Sequence, residues 1–191
     1  MKVVIVGGVA GGASTAARLR RVDESAEIIM LEKGPYVSFA NCGLPYHIGG
    51  VIQDRDQLLV VTPETLRDML NIEARTNSEV RSIDRQNKTV VVKELTTGRE
   101  YQEPYDKLVL ATGAVPIVPP LPGVDLPGVY VLHNIPEMDA IESCLSEACP
   151  KSVIVVGGGF IGLEIAENLA EKGLQVTVVE MLEQVMAPVD F

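Results

Sequence analysis

One pattern is written twice in this 191-residue chain and limits its fold more than any other feature: apolar strand, glycine turn, small-residue helix start, second apolar strand, terminal acid. The first copy reads VVIVGGVAGGASTAARLRR and then EIIMLEK, reaching Glu32 and Lys33. The second reads SVIVVGGGFIGLEIAENLAEKG and then LQVTVVE, reaching Glu180. This is the βαβ pattern of a Rossmann-like sheet, in which turn amides and a helix N-terminus face a pyrophosphate. Gly7 lets the chain turn sharply off its strand and Gly12 lets the helix pack close to the sheet; Gly8, Ala10 and Gly11 lie between them. Val9 replaces the middle glycine of the fingerprint, whereas the second copy keeps Gly157, Gly159 and Gly162, with Phe160 and Ile161 inside the turn. Glu32 follows Gly12 by 20 residues and Glu180 follows Gly162 by 18, where a carboxylate accepts hydrogen bonds from adenosine ribose hydroxyls. Two copies imply two nucleotides. A carboxylate at Glu180 repels a 2′-phosphate, so the second copy favours NADH, with NADPH open to the influence of neighbouring side chains.

Just downstream of the first copy, the segment VSFANCGLPY places one thiol, Cys42, beside Ser38 and Asn41. Redox use of that thiol requires the thiolate, yet a cysteine of pKa about 8.5 is only about 3% ionised at pH 7. The residues after Cys42 can start a short helix whose positive end favours the anion, and Ser38 and Asn41 can donate hydrogen bonds to it or to a substrate. The competing reading is a buried structural cysteine. Five positions on stands His47, so no dithiol forms there, and the spacing of Cys144 and Cys149 fits neither C-x-x-C nor a zinc set. Those two read as helix or helix-end cysteines, and no metal site is expected.

Between the copies, YDKLVLATGAVPIVPPLPG is an apolar strand ending in Ala111, Thr112 and Gly113 and running into proline-rich crossover. The two fingerprints, A-T-G-A-x-P and S-F-A-N-C-G-L-P-Y together resemble the FAD-dependent pyridine nucleotide-disulfide oxidoreductases, in the single-cysteine branch that holds coenzyme A-disulfide reductases, persulfide reductases, NADH oxidases and peroxidases. Members with an internal disulfide carry a second cysteine where this chain has His47. Oxidases and peroxidases carry a histidine where it has Ala10, so the resemblance favours a sulfur substrate over oxygen or peroxide.

The resemblance implies an α/β fold: a three-layer β-β-α FAD-binding domain with an inserted β meander (1–113), a crossover and connector helix (114–150), and the start of a Rossmann-like NAD(P)-binding domain (151–191). It implies that FAD is held by Gly7, Gly8, Ala10, Gly11, Gly12, Glu32, Lys33, Asn41, Cys42, Val80, Ala111, Thr112 and Gly113. NADH falls to Gly157, Gly159, Phe160, Ile161, Gly162 and Glu180; Phe160 is either an aromatic that swings aside for nicotinamide or a core residue. Cys42, aided by Ser38 and Asn41, would carry catalysis on a coenzyme A-type disulfide or persulfide gripped by Ser14, Arg18, Arg21, Ser38 and Asn41. Arg18, Arg20 and Arg21 form a basic patch at the end of the first helix, which also complements that helix's dipole without any ligand. Two further readings stay open: an oxidase or peroxidase cycling Cys42 through sulfenic acid, and a non-catalytic nucleotide-binding module.

A net charge of -10 argues against nucleic acid and anionic membranes as partners, and 47% hydrophobic residues suit a core-forming cytoplasmic chain. Glycines interrupt the N-terminal apolar run, which reads as strand rather than leader. The remaining expected elements are strands 2–6 and 27–32, helix 11–21, helix 63–70, meander strands within 77–84, 88–95 and 99–105, strand 107–111, and a connector helix over 136–148 with proline at its start. The family's closing FAD segment and dimerisation domain are not in the sequence, so it reads as a fragment, inactive alone, of a homodimeric parent.

Overall fold

The computed structural model describes residues 1–189. In chain order the elements are β1 (Lys2–Val6), α1 (Ala10–Val22), β2 (Glu27–Leu31), α2 (Leu44–Gly49), α3 (Pro63–Leu70), β3 (Ile72–Arg75), β4 (Ser78–Asp84), β5 (Thr89–Glu94), β6 (Glu100–Pro104), β7 (Lys107–Leu110), α4 (Ile135–Ala148), β8 (Ser152–Val156), α5 (Phe160–Glu171) and β9 (Gln175–Val179), with 3-10 turns at Asn41–Gly43 and Arg55–Leu58. They form two compact units: Met1–Phe39 with Leu59–Ala114, and Ala40–Leu58 with the chain from Val115 onward.

In the first unit the strands of the parallel sheet run in the order β3-β2-β1-β7, and β4-β5-β6 form an antiparallel meander. Parallel strands buried on both faces read as unbroken apolar runs, as Val3 to Ile5 and Ile28 to Leu31 do. One face packs Val3, Ile5, Ile28, Met30 and Ile72 against Ala16 of α1 and Leu66 of α3. The other packs Val4, Ile29 and Leu31 against Val90 and Val92 of β5. Helices, parallel sheet and meander are therefore three layers, as expected. The strand order reverses at β1, since the chain proceeds to β2 and β3 on one side and returns as β7 on the other. In open α/β sheets that reversal opens a crevice at the strands' C-terminal ends.

Strand β3 and the Arg55–Leu58 turn are additions to the sequence expectation. Strand β3 has four residues, only Ile72 of them buried, which leaves no alternation to read. Asn71, in left-handed conformation at φ +48°, ends α3 and starts the strand at once. Arg20 departs from the basic patch expected at the end of α1. Its buried guanidinium donates to the carbonyls of Leu70, Asn71, Asp23 and Glu24, so it clasps the ends of α1 and α3.

In the second unit β8 pairs in parallel with β9 and α5 connects them. Helix α4 starts where Asn134 accepts a hydrogen bond from Glu137 N at 3.0 Å, with a proline in its first turn as expected. Cys144 lies in α4 and Cys149 ends it, both free thiols. Among the described residues no helix is long and apolar enough to cross a membrane.

Candidate active site

Among the described residues four helices, α1, α3, α4 and α5, have eight residues or more, and their first turns divide cleanly. Thr62 and Asn134 cap α3 and α4 with side-chain oxygens, and each helix has a glutamate in its first turn. Helices α1 and α5 have neither a side-chain cap nor an acid there. Uncapped N-terminal amides without a competing carboxylate suit an external anion, and these are the two helices that follow glycine turns.

At the first turn, Gly7 has φ +97°, and a Cβ there would lie 2.1 Å from the Ala111 carbonyl oxygen; one on Gly12 would lie 1.7 Å from the Gly7 oxygen. Val9 is tolerated in place of glycine because its φ is -90°. Gly8 N donates to Glu32 Oε2 at 2.6 Å and Gly34 N to Oε1 at 2.7 Å. A carboxylate has about four acceptor positions, so each oxygen keeps capacity for a ribose hydroxyl. A cavity of about 170 Å³ opens beside it, bounded by Gly7, Glu32, Lys33, Glu79, Val80 and Thr112. The cavity lies at the C-terminal ends of β1 and β2, beside the uncapped start of α1, and the residues present fit the adenosine and pyrophosphate of FAD. Glu79 was absent from the sequence expectation. Lys33 pairs with it at 3.0 Å and holds its carboxyl below the usual range, and only folding places the two side by side. Gly11 and Gly113 are exposed, Gly113 with φ +68°.

The second turn repeats the first. Gly157 has φ +103°, a Cβ on Gly162 would lie 1.9 Å from the Gly157 oxygen, and Gly158 N donates to Glu180 Oε2 at 2.6 Å. Glu180 Oε1 also accepts from Met181 N and Leu182 N. The amides of Leu182, Gly158 and Met181 hold this carboxyl below the ordinary range against a small opposing effect of desolvation. Gly159 caps α5, while Phe160 and Ile161 are each 60% exposed; Phe160 is therefore no core aromatic here.

Cys42 is a free, exposed thiol in the Asn41–Gly43 turn, which runs directly into α2. The short helix anticipated after the thiol is present, with six residues. Asn41 is exposed beside it. His47 is buried, its Nδ1 donating to the Ile52 carbonyl at 2.7 Å and its Nε2 3.3 Å from Glu142 Oε2. A packed imidazole thus stands where a second cysteine would close an internal disulfide.

A larger cavity, about 330 Å³, is lined by α1, α3 and the bend at Ser38. It brings together Ala10, Ser14, Arg21 and Ser38 over an apolar floor that includes Leu66 and Leu70. Ser38 is held at φ +46°, its N donating to Gly8 O and its own carbonyl accepting from Val60 N. Arg18 is exposed on α1 but is not among the cavity's lining residues. The apolar lining could not be read from the sequence, because Leu66 and Leu70 read equally well as core. Among the described residues no group of acids, histidines and cysteines could hold a metal ion.

Residues 1–190 match the family described as pyridine nucleotide-disulphide oxidoreductase, and the chain belongs to it. A coenzyme A disulfide reductase of Staphylococcus haemolyticus is 39% identical over 184 residues, 96% of this chain and 41% of the relative. The fold superposes on the reduced Bacillus anthracis CoADR-RHD with a TM-score of 0.97 at 53% identity, covering 99% of this chain and 34% of that one. An NAD-dependent persulfide reductase from A. fulgidus gives a TM-score of 0.94 at 39% identity, covering 98% and 35%. The chain thus spans about 41% of the length of the curated relative.

Proposed function

We propose that this chain supplies the redox thiol and both nucleotide turns of an NADH-dependent flavoprotein that reduces a coenzyme A-type disulfide or persulfide. The observation that carries the proposal is the state of Cys42: free and exposed, with a buried, hydrogen-bonded His47 where a partner sulfur would be. A thiol with no local partner sulfur is free to take one from a substrate.

In this reading residues 1–113 form the FAD-binding domain, with 40–58 built into the second compact unit, 114–150 the connector, and the chain from 151 the start of the NAD(P)-binding domain. FAD, when bound, supplies two-electron transfer between nicotinamide and sulfur. The free amides at the start of α1, from Ala10 to Gly12, take its pyrophosphate, and Glu32, held by Gly8 N, takes its ribose. Cys42 attacks one sulfur of the substrate, forming a mixed disulfide as the other half leaves as a thiolate; uptake of two electrons then cleaves that disulfide into the Cys42 thiolate and a second product thiolate. Ser14, Arg21 and Ser38 give the larger cavity one cation and two hydroxyls, a set that suits the phosphate-bearing end of coenzyme A. Glu180 directs the second turn to NADH.

The test is anaerobic turnover of NADH with coenzyme A disulfide and with a coenzyme A persulfide, on protein expressed at the length of its relatives. Wild type oxidises NADH with either sulfur substrate, and Cys42→Ser loses at least about a thousandfold in kcat, as when a covalent nucleophile is removed. Normal turnover by Cys42→Ser overturns the proposal.

A further inference from the structure

The segment that carries Cys42 leaves the first unit after Phe39, returns to it at Leu59, and is built into the second unit. There α2 is clamped by α5. Gly49 lies against the buried Asn168 of α5 so closely that a Cβ on it would be 2.3 Å from Asn168 Oδ1 and 2.8 Å from its Cβ. Asn168 is 3% exposed and cannot swing away, because its Nδ2 donates to the Glu164 carbonyl one turn back at 2.8 Å. One turn further on, Lys172 Nζ donates to the Ile48 carbonyl at 2.7 Å, across 124 residues of sequence, and satisfies a carbonyl at the C-terminal end of α2. His47 and Arg55 fasten the same segment to α4, through Glu142 and Asp139. Helix α5 has 12 residues and is about 18 Å long, with the dinucleotide turn at its start and this clamp at its end.

We propose that Asn168 and Lys172 are positioning residues for Cys42. Through Gly49 and the Ile48 carbonyl they fix the thiol's turn to the helix that binds the pyridine nucleotide, so that the half that holds NADH also sets the thiol's place. This rests on the reading of Cys42 as the redox thiol. Each of these residues acts through α2.

Gly49→Ala separates placement from helix formation, since alanine favours the helix at least as well as glycine and only the seat against Asn168 is lost. Asn168→Gly in the same chain removes the atoms that the new methyl would strike and lets that methyl take over the contact between α2 and α5, so the seat is kept with its two halves exchanged. In Gly49→Ala, alkylation of Cys42 by iodoacetamide, followed by peptide mass spectrometry, changes at least about threefold. The rate at exposed Cys149 stays put, and kcat with coenzyme A disulfide falls about tenfold while KM for NADH stays within about twofold. The Gly49→Ala/Asn168→Gly double variant returns Cys42 alkylation and kcat to within about twofold of wild type even though it melts lower, a rescue that a merely stabilising contact does not give. Lys172→Met shifts Cys42 in the same way and Lys172→Arg restores it, which keeps the test open if Gly49→Ala does not fold. A wild-type Cys42 rate in both Gly49→Ala and Lys172→Met overturns the inference, as does a double variant no better than Gly49→Ala. Full turnover by Cys42→Ser overturns the redox role instead, so the two failures are told apart.

Discussion

Glu180 closes its turn with hydrogen bonds from the amides of Gly158, Met181 and Leu182, at 2.6, 2.7 and 2.9 Å. Those bonds are stronger to the carboxylate than to the neutral acid, which is why its pKa is lowered. A carboxyl that titrates low stays charged throughout the neutral range, and in the proposed function that charge is what would accept ribose hydroxyls and repel a 2′-phosphate. Glu180→Gln keeps the shape but removes the charge and puts an NH2 where an acceptor was. The expected result is weaker NADH binding by about tenfold and a smaller penalty against NADPH, measured as the ratio of their dissociation constants by fluorescence titration. An unchanged ratio would mean that other side chains set the preference. The sequence showed the carboxylate and its spacing, but not its three amide donors, because backbone groups donate from conformation rather than from residue type. Arg20 is the opposite case: as a letter it resembles Arg18 and Arg21, and only its burial against four carbonyls sets it apart.

Among elements, the meander is tied to the parallel sheet by a charge cluster that no local pattern reveals. Glu103 of β6 accepts from Lys2 Nζ of β1 at 2.7 Å and from Arg75 at the end of β3, and Arg75 lies 5.7 Å from the Tyr101 ring centre. Burial pushes the Glu103 carboxyl up, but the hydrogen bonds from Lys2 and Arg75 outweigh it, so its folded pKa lies below the ordinary value. Lys2 keeps Glu27 at 3.0 Å and Arg75 keeps Glu73 at 2.7 Å when Glu103 is neutralised. Glu103→Gln therefore costs about 2 kcal/mol at pH 7, less than the 3–5 of a fully orphaned buried pair. Because the folded pKa is depressed, the carboxylate's contribution is complete above the unfolded value of about 4.3 and lost as pH falls through the folded one. Urea denaturation at pH 7 and at pH 3 checks this: the gap between wild type and variant narrows in acid, and a constant gap refutes the linkage. Elements marked by an unbroken apolar run or an adjoining glycine turn, such as β1, β2 and α5, were plain in the sequence. Strand β3 was not, because it draws its stability from pairing with β2 rather than from its own four residues.

At the scale of the whole chain, one turn design is used twice, and if each copy is a nucleotide site as proposed, each should fail separately. Both turns place a glycine at φ near +100°, a second glycine whose Cβ would overlap the first one's carbonyl, and an acid bonded to the intervening amide. That equivalence was legible because it depends on glycine, whose absence of a side chain is itself the signal. The seat of Gly49 on Asn168 uses the same property, yet beside Gly50, which ends α2 at φ +87°, it reads as an ordinary helix stop. A methyl 1.7 Å from the Gly7 oxygen in Gly12→Ala, or 1.9 Å from the Gly157 oxygen in Gly162→Ala, must push the helix start off its sheet and spoil the amide cradle beyond repair by side-chain motion. Since the turns belong to different compact units, damage to one amide cradle leaves the other cradle intact. Gly12→Ala should be purified with under about a tenth of the wild-type flavin while still binding NADH; Gly162→Ala should keep its flavin and bind NADH at least about a hundredfold more weakly. Flavin absorbance and NADH fluorescence read the two separately, with circular dichroism confirming the fold. Loss of both nucleotides in Gly162→Ala would show that the two turns are not independent sites.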